Sequence, residues 1–436
     1  MKKAVLFLIA TVLAVVVIAQ PDGAIMKSLA VVPGPYKVVK AIDDSNAVAL
    51  ATGSSGSPHS LVVIPLGTMV DHTLSSVSCN SAKIDCPDSV YLMDVCVLER
   101  YVFVCGSVRT TSGTKAMIGY AALSFLHDRF VSPLYVYALD CAAMAEKITA
   151  YTVPGSTAKQ LAVVGVDYPD GTFWGTYSLI NVDFYATPSV CNSVKLPTNY
   201  RITGLTQTVD CVVVTGEFYD QDGFHFVAKC DKGSGSFTLD IHPMASADYI
   251  IGNGVSCTST IGDDIAIAYY TQKNVSPRVL IRIIKLYPTT ITNTHSYMVP
   301  VNGKIEAPTM AYMPDSMSLV LLFSGNALPS FNGPAFVSFR PYLPTLVKLF
   351  SPITNTDYYN VSLFGRKHFI AASDNDWFIC NESSSLPNCT VMASAPVYNI
   401  ENVGFLQFKI NSTLCTTTYF SSYTYNNYTI SHICIH

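Results

Sequence analysis

Pairs of short apolar runs, separated by polar turns, recur along the whole chain. In each pair a run of five to seven residues rich in Val, Ile, Leu and Ala ends, in most cases, at a small residue or glycine. A turn of Ser, Thr, Asp, Asn or Gly follows, and then a second apolar run. Short runs of β-branched and aromatic residues between such turns predict β-hairpins. Eight hairpins are predicted, and their first strands are Ala47–Gly53, Tyr101–Gly106, Leu161–Gly165, Cys211–Gly216, Ile265–Tyr270, Leu319–Gly325, His368–Ser373 and Leu414–Phe420.

The hairpins recur at nearly constant spacing. Their first strands end near residues 53, 106, 165, 216, 270, 325, 373 and 420, so the successive spacings are 53, 59, 51, 54, 55, 48 and 47 residues. Each interval leaves room for two more strands, such as Pro133–Leu139 and Lys147–Tyr151. Units of four short strands that repeat in this way are typical of propeller blades. After residue 19 the chain therefore resembles the β-propeller superfamily, although it carries neither a Gly-His…Trp-Asp signature nor a kelch-type glycine pair.

This resemblance implies an all-β fold in which neighbouring blades cover both faces of each sheet. Eight hairpins favour eight four-stranded blades, and seven blades is the alternative if one hairpin is irregular. A two-sheet sandwich or several all-β domains would also fit the pattern of strands. A closed ring predicts a single β-propeller domain over residues 20–436.

The two ends of the chain predict how the ring closes. The eighth hairpin leaves its unit one strand short at His436, whereas Ala24–Val32 is predicted to form a strand before the first unit. We expect this N-terminal strand to pair with Thr429–Ile435 and complete the eighth blade. Such pairing removes an open strand edge, which would otherwise promote aggregation.

A basic and then apolar N-terminus predicts export. Three residues, two of them lysine, precede Ala4–Ala19, which is apolar in all but one of its 16 positions. This run is short for a membrane span and has the length of the apolar region of a signal peptide. Val17 and Ala19 are small enough to permit cleavage before Gln20. We therefore predict a signal peptide over residues 1–19, with an uncleaved signal anchor as the alternative.

Export predicts a secreted, extracellular or cell-surface protein. No later run reaches the roughly 18 apolar residues of a spanning helix, so we expect no membrane span once the signal is removed.

Composition excludes other classes of protein. Hydrophobic residues make up 50% of the 436 positions and charged residues only 13%, and the mean hydropathy is +0.33. With 26 Lys and Arg against 30 Asp and Glu, the net charge is −4, which does not suit a nucleic-acid-binding protein.

Export also makes the 13 cysteines candidates for disulfides. Cys211 and Cys230 are equidistant from a hairpin turn, and so are Cys415 and Cys434. Equal distance from a turn predicts that the two residues lie directly opposite each other on paired strands. The alternative for such strand pairs is two buried free thiols.

Further disulfide candidates lie around polar loops and on adjacent strands. They are Cys380 with Cys389, Cys79 with Cys86, and Cys96 with Cys105. The remainder, Cys141, Cys191 and Cys257, is odd in number. One free or intermolecular thiol should therefore exist, and an intermolecular thiol would permit self-association.

Six Asn-x-Ser/Thr sequons mark candidate glycosylation sites. The sequon at Asn274 is the poorest acceptor because a proline follows it. The remaining candidates cluster after residue 355, at Asn360, Asn381, Asn388, Asn411 and Asn427.

No arrangement of residues predicts a catalytic centre. The nine histidines show no metal-ligand spacing, and the sequence has no nucleophile elbow, phosphate loop or dinucleotide motif. We therefore predict no catalytic residue, no cofactor and no metal. Two acidic turns that end at glycine are the only calcium candidates, and their residues also suit a plain hairpin turn. Their carboxylates are Asp167, Asp170, Asp220 and Asp222.

The predicted function is recognition or structural assembly. The loops and channel mouth of a propeller suit binding, and we expect a protein or glycan partner and no nucleic acid. The alternative is a secreted carbohydrate-active enzyme, a glycoside hydrolase or lyase, whose carboxylates come from different blades. Two carboxylates about 5 to 10 Å apart in one channel mouth would favour that enzyme. The glutamates are Glu99, Glu146, Glu217, Glu306, Glu382 and Glu401.

Overall fold

The computed structural model describes most of the chain between residues 26 and 435. The described residues are 26–29, 36–43, 46–51, 59–65, 83–168, 171–172, 174–184, 187–196, 200–218, 224–235, 237–243, 250–273, 276–286, 291–300, 305–314, 317–325, 335–339, 345–352, 358–364, 368–373, 376–381, 389–397, 417–425 and 428–435. They form strands and turns and contain no helix, which confirms the all-β prediction. Within these ranges no helix is long and apolar enough to cross a membrane. The predicted signal peptide, residues 1–19, lies outside them.

The apolar runs form strands, joined by the polar turns. The strands are β1 (Met26–Leu29), β2 (Tyr36–Ala41), β3 (Asn46–Ala51), β4 (Ser60–Pro65), β5 (Lys83–Asp85), β6 (Val90–Leu98), β7 (Tyr101–Thr110), β8 (Gly113–Ala122), β9 (Tyr135–Leu139), β10 (Met144–Thr152), β11 (Lys159–Asp167), β12 (Trp174–Val182), β13 (Ser189–Lys195), β14 (Tyr200–Gln207), β15 (Cys211–Phe218), β16 (Phe224–Asp231), β17 (Phe237–Pro243), β18 (Ile250–Ile261), β19 (Asp264–Lys273), β20 (Ser276–Leu286), β21 (Ile291–Pro300), β22 (Ile305–Met313), β23 (Ser318–Gly325), β24 (Ala335–Phe339), β25 (Thr345–Pro352), β26 (Tyr358–Phe364), β27 (His368–Ser373), β28 (Asp376–Asn381), β29 (Cys389–Val397), β30 (Thr417–Tyr425) and β31 (Tyr428–Ile435).

Consecutive strands pair into antiparallel sheets. Sheets one to six are β2–β5, β6–β9, β10–β13, β14–β17, β18–β21 and β22–β25, and sheet seven contains β26–β28 and β1. The first strands of these seven sheets contact one another in succession, and β26 contacts β2, so the contacts form a closed ring. A ring of four-stranded antiparallel sheets is a β-propeller. The predicted fold class is confirmed, and the first seven predicted hairpins are the second and third strands of their sheets.

The eighth predicted hairpin does not build an eighth sheet in the ring. It forms β30 and β31, which among the described strands pair only with each other. The strand that follows the seventh hairpin, β29, adds to β25 at the outer edge of sheet six. The described residues therefore show seven sheets in the ring, the alternative that the sequence left open, rather than the favoured eight.

An N-terminal strand closes the ring, as predicted, but its predicted partner is wrong. Met26 pairs with Ile379 and Leu29 with Asp376, so β1 is the fourth strand of sheet seven, beside β28. We had expected β1 beside Thr429–Ile435. The described partner of that segment is β30 instead, because its hairpin stands apart from the four-stranded sheets.

The first strand of every sheet in the ring carries a β-bulge or register irregularity near its start. The shifts fall at Tyr36/Val38, Leu92/Asp94, Ala145/Lys147, Ile202/Gly204, Ile251/Ser256, Glu306/Thr309 and Tyr358/Asn360.

In sheets two, three and four the bulge lies opposite Gly106, Gly165 and Gly216, the glycines that end the predicted apolar runs. A Cβ on these glycines would lie 1.8, 2.0 and 2.1 Å from the carbonyl oxygens of Tyr91, Met144 and Arg201. The glycine is therefore required because the bulged neighbour approaches it closely.

Neighbouring sheets share apolar cores. Val104 and Phe103 are consecutive in β7 and are both fully buried, yet they belong to different clusters. Val104 packs in the cluster that contains Leu50 of sheet one, and Phe103 in the cluster that contains Leu161 of sheet three. Because successive side chains point to opposite faces, the second strand must be apolar throughout.

Candidate interaction surface

The two ends of the ring are built from different connections. Each first strand begins, with its bulge, at the end where the second and third strands are joined, and we call this end the upper face. The turns between first and second strands, and the connections between third and fourth strands, lie at the other end, the lower face.

Residues 123–134, the connection between β8 and β9, form an ordered loop on the lower face, which we call the 123–134 loop. Leu123 forms an isolated β-bridge with Phe130, and the Val131 amide donates to the carbonyl of Ala122 over 2.8 Å. The hydroxyl of Ser124 donates to Asp128 over 2.6 Å. These bonds fix the loop from within.

The loop is also tied to the turn between β2 and β3 of sheet one. His127 Nδ1 lies 2.8 Å from Asp43 Oδ2, and the Asn46 side-chain amide donates to the Leu126 carbonyl over 3.1 Å. Asn46 is buried, and its own amide groups also bind Asp43. His127 has a left-handed backbone (φ 55°), which is uncommon for a residue other than glycine and needs such support.

The tip of this loop presents large apolar side chains to solvent. Phe125 is 87% exposed, Leu126 76% and Val131 59%, and Tyr135, the first residue of β9, is 44% exposed. These four are nearly half of the nine exposed large hydrophobic residues in the described part of the chain. Apolar groups that are clustered, exposed and held in place are typical of interaction sites, whereas single exposed apolar residues are not.

A layer of aromatic rings lies on the face of sheet two that packs against sheet three. Tyr101 stacks on Phe184, which follows β12, with ring centroids 3.5 Å apart. Tyr120 lies edge-on to Tyr101 at 6.5 Å and stacks with Tyr137 at 6.1 Å. Burial raises the pKa of Tyr120 to about 12, and a hydrogen bond to Tyr137 contributes. The rings join sheets two and three, whereas Leu123 and Phe130 of the loop pack in the cluster shared with sheet one.

Two arginines flank the tip. Arg100, in the turn between β6 and β7, lies over the ring of Phe125 at 5.0 Å and over that of Tyr101 at 5.8 Å. Arg129 lies within the loop, and its carbonyl accepts the amide of Ser124. In the described residues no carboxylate lies within ion-pair distance of either guanidinium.

Further polar contacts tie sheets two, three and four together on the lower face. Lys159 Nζ lies 2.5 Å from Glu99 Oε1, which links the first turns of sheets three and two. Lys232 donates to the Thr208 carbonyl over 2.5 Å and lies 5.0 Å from the ring of Tyr151. Burial lowers the pKa of Lys232. The lower face of these sheets is therefore a connected, preorganised surface.

Asp167, the first carboxylate of the predicted acidic turns, lies at the upper end of β11. Asp167 accepts hydrogen bonds from Lys195 Nζ over 2.5 Å and from the amide of Tyr168 over 3.0 Å. Asp170, Asp220 and Asp222 lie outside the described residues. Within the described residues no three His, Cys, Asp or Glu side chains are grouped as a metal site.

The described glutamates lie at both ends of the ring. Glu146 is the bulged residue of β10 at the upper face, and burial raises its pKa against the opposing charges of Arg201 and Lys147. Glu217 is buried and lies opposite Arg201 across β14 and β15. Glu99 lies on the lower face and pairs with Lys159 there. Glu306 lies in β22, and Glu382 and Glu401 lie outside the described residues.

The register of β15 and β16 does not place Cys211 directly opposite Cys230, as their predicted disulfide requires. Cys211 lies opposite Asp231, and Cys230 lies opposite Val212. The two cysteines are therefore offset by one residue and point to opposite faces of sheet four, because the turn is centred half a residue from the predicted point. Both are buried free thiols, which is the alternative that the sequence left open.

Cys96 and Cys105 are also free. Cys96 lies opposite Phe103, and Cys105 lies opposite Asp94, so the two cysteines are diagonal neighbours on one face rather than directly opposed. Burial raises the pKa of both thiols well above the usual range. Buried, protonated thiols of this kind behave as small apolar residues.

The other cysteine candidates are placed only in part. Cys86, Cys141 and Cys191 are free thiols. Cys380 lies in β28 of sheet seven, whereas Cys389 begins β29 of sheet six, and their disulfide stays a prediction. Cys257 lies in β18 and Cys434 in β31, and Cys79 and Cys415 lie outside the described residues.

Two of the glycosylation candidates lie in strands. Asn360 follows the bulge of β26, and Asn381 ends β28. The others, Asn388, Asn411 and Asn427, lie outside the described residues, as does Asn274.

Sequence reasoning did not identify the 123–134 loop. A signal was present, because the segment between the second predicted hairpin and the strand at Pro133–Leu139 contains large apolar residues in no strand pattern. They are Phe125, Leu126, Phe130 and Val131. An apolar connection in a propeller, where connections are otherwise polar, indicates either a buried loop or a binding site.

The sequence matches no protein-family model and no curated protein. Among solved structures the chain is similar to Chaetomium thermophilum Sqt1, at 9% identity over 84% of this chain and 99% of that chain, with a TM-score of 0.46. The Nup133 β-propeller domain of Vanderwaltozyma polyspora matches at 7% identity, 83% and 98% coverage and a TM-score of 0.46. The Bombyx mori GH32 β-fructofuranosidase matches at 10% identity, 87% and 94% coverage and a TM-score of 0.36. The assignment as a β-propeller rests on the ring of sheets described above.

Proposed function

We propose that the chain is an exported recognition protein that binds a protein partner through the lower face of its propeller. The observation that carries this proposal is the 123–134 loop, which holds Phe125 and Leu126 in solvent on a rigid support. Exposing two large apolar side chains is costly unless a partner covers them, because each loses the free energy of burial. Aromatic and aliphatic anchors of this kind supply most of the binding energy in protein interfaces.

Preorganisation supports the same proposal. A loop that is already ordered before binding loses little conformational entropy when a partner docks. The contacts to Asp43 and Asn46 of sheet one, and the packing of Leu123 and Phe130 in the core shared with that sheet, supply that order.

The experiment is a comparison of partner recovery by the wild-type protein and by the double variant Phe125→Ser, Leu126→Ser. The tagged proteins are incubated with the exported fraction of the cells that make the protein. We expect the double variant to lose at least tenfold in recovery, because burying two such side chains contributes about 3 to 6 kcal/mol. Tyr168→Ser, at a half-exposed position on the upper face, is the matched control.

Two outcomes would contradict the proposal. Equal recovery by the wild type and the double variant would show that the tip is not the binding site. Recovery that survives protease treatment of the fraction and is reversed by free sugars would show a glycan ligand instead of a protein.

Export is tested separately by N-terminal sequencing of the protein from its natural source. A mature chain that begins at Gln20, with that residue cyclised to pyroglutamate, supports a cleaved signal peptide. A chain that retains Met1 would support a signal anchor and a cell-surface location, and recovery of the protein inside the cell would contradict export.

One observation favours a second function, the carbohydrate-active enzyme. Glu146 is partly buried on a first strand of the ring, and burial raises its pKa, as the general acid of a glycoside hydrolase requires. A panel of polysaccharides incubated with the wild type and with Glu146→Gln tests this function. Hydrolysis that Glu146→Gln abolishes would support the enzyme, and no product from any polysaccharide would exclude it for that panel.

A further inference from the structure

The lower face carries more than an apolar tip, because charged groups surround Phe125 and Leu126. The carboxylates that contact the loop or neighbour Arg100 are each bound within the protein. Asp43 binds His127 and Asn46, Asp128 accepts the Ser124 hydroxyl, and Glu99 pairs with Lys159. Their oxygens are therefore already supplied with hydrogen-bond donors.

The two arginines beside the tip differ from these carboxylates. In the described part of the chain neither Arg100 nor Arg129 has a carboxylate partner within 4.0 Å. Arg100 is stacked on Phe125 at 5.0 Å, and this contact orients its guanidinium beside the apolar side chain. A guanidinium carries five N–H donors in a planar fork that matches a carboxylate.

We propose that the partner is a protein with an apolar pocket rimmed by carboxylates. This inference rests on the proposed function. Phe125 and Leu126 enter the pocket, and the carboxylates on its rim pair with Arg100 and Arg129. Arginine next to an aromatic anchor is a common composition of interface hot spots. The charge pairs then set the orientation and specificity of a contact whose affinity comes mainly from the apolar tip.

An anionic lipid surface would offer the same charge but fits this face less well. Asp43, Asp128 and Glu99 lie around the tip, and a uniform layer of anionic headgroups would approach them as closely as it approaches the arginines. A protein pocket can place its carboxylates against the two guanidiniums alone. Local complementarity therefore favours a protein over a membrane.

The test is photocrosslinking at the edge of the tip. The probe is p-benzoylphenylalanine at position 131, where Val131 is 59% exposed, in the full-length protein incubated with the exported fraction of its own cells. Four further proteins carry the same probe. They are the serine variant (Phe125→Ser with Leu126→Ser), the charge reversal (Arg100→Glu with Arg129→Glu), the glutamine variant (Arg100→Gln with Arg129→Gln) and the control Tyr168→Ser. Each variant must melt within a few degrees of the wild type, as expected for exposed positions.

The proposal expects three results together. The charge reversal lowers the crosslink yield at least tenfold, because each lost charge-assisted hydrogen bond weakens binding by about that factor. Raising salt from roughly 50 mM to roughly 500 mM weakens the wild type but not the glutamine variant. The crosslinked peptide of the partner lies beside at least two carboxylates.

The outcomes separate this inference from the proposed function. A crosslink that the serine variant abolishes but charge reversal leaves unchanged overturns the acidic rim and leaves protein binding intact. A crosslink that the serine variant leaves unchanged, or no crosslink at all, overturns both. Sedimentation with vesicles of phosphatidylcholine and phosphatidylserine (4:1) that depends on Phe125, without a protein crosslink, identifies a lipid and overturns the proposal.

Discussion

Gly165 lies opposite Ala145 across β10 and β11, so close to the bulge that a Cβ at Gly165 would lie 2.0 Å from the carbonyl oxygen of Met144. That contact is to backbone, which cannot rotate away as a side chain could. The same relationship occurs at Gly106 in sheet two and at Gly216 in sheet four. The small residue at the end of each apolar run is therefore part of the blade's geometry.

The substitution Gly165→Ala should destabilise the protein by about 1 to 3 kcal/mol, the usual cost of forcing extra atoms into a packed site. Urea unfolding measures the difference. Gly233→Ala is the control, because a Cβ there meets nothing within 4 Å and the backbone has no positive φ. A Gly165→Ala variant as stable as Gly233→Ala would show that the bulge can move at no cost.

Closure by β1 predicts opposite results for deletions at the two ends. Deleting residues 20–33 while keeping residues 1–19, the predicted signal peptide, should cause aggregation and lower the yield of the exported protein that we propose, because it leaves the edge of β28 unpaired. Deleting residues 417–436 should leave the ring closed, because β30 and β31 pair only with each other among the described strands. Secretion yield and melting temperature measure both effects. If the deletion of residues 417–436 impaired yield and stability and the deletion of residues 20–33 did not, the pairing of β1 with β28 would be contradicted.

The contact between His127 and Asp43 should control the order of the 123–134 loop. Asp43→Ala removes the hydrogen bonds of this carboxylate to His127 and Asn46, which together contribute about 1 kcal/mol. We expect trypsin to cleave after Arg129 about fivefold faster, because local opening becomes more frequent. Asp140→Ala, which removes the exposed pair with Lys115 on the upper face, should leave that rate unchanged.

Thiol mapping should distinguish the cysteines of the early sheets from those near the C-terminus. In denatured, unreduced protein we expect Cys96, Cys105, Cys211 and Cys230 to be alkylated as free thiols. Cys380 should be recovered linked to Cys389, as the sequence predicts. A disulfide between Cys211 and Cys230 would contradict the register, because it would need a one-residue shift between β15 and β16.

Alkaline pH should destabilise the protein through its buried tyrosines. Burial raises the pKa of Tyr177 and Tyr151 well above the usual value near 10. Such a group binds its proton more tightly in the folded state, so its contribution to stability is complete below pH 10 and is lost as the pH rises above that value. Each tyrosine adds a slope of at most about 1.4 kcal/mol per pH unit. Urea unfolding at about pH 9 and about pH 11 measures the slope, and Tyr177→Phe should reduce it.

The hairpins could be predicted from the sequence because both of their determinants are local. The apolar residues of the run at Leu161–Gly165 and the turn that follows it lie within a few positions of one another. The choice of partner for β1 is not local, because β28 and β31 offer edges of similar composition more than 340 residues away. Nothing in the pattern of either strand distinguishes them.

The candidate site was missed for a different reason. Phe125 and Leu126 lie in a connection, where residue type does not show whether a side chain is buried or exposed. The residues that hold the loop, Asp43 and Asn46, come from another sheet, about 80 positions earlier in the chain. Similarly, the sequence placed Cys211 and Cys230 on adjacent strands but could not fix a register to within one residue, and that one residue reverses the face on which a side chain lies.

Closure of the ring also constrains the order in which the sheets can form during synthesis. Met26 is synthesised before its partner, Ile379, which follows about 350 residues later. At a translation rate of about 5 to 20 residues per second, β1 therefore has no partner strand for roughly 20 to 70 seconds after its own synthesis. During that interval sheets one to six can form, but the seam of the ring stays open, with one strand held unpaired. Contacts this distant in sequence slow folding, because the entropy of closing the chain is lost before they form.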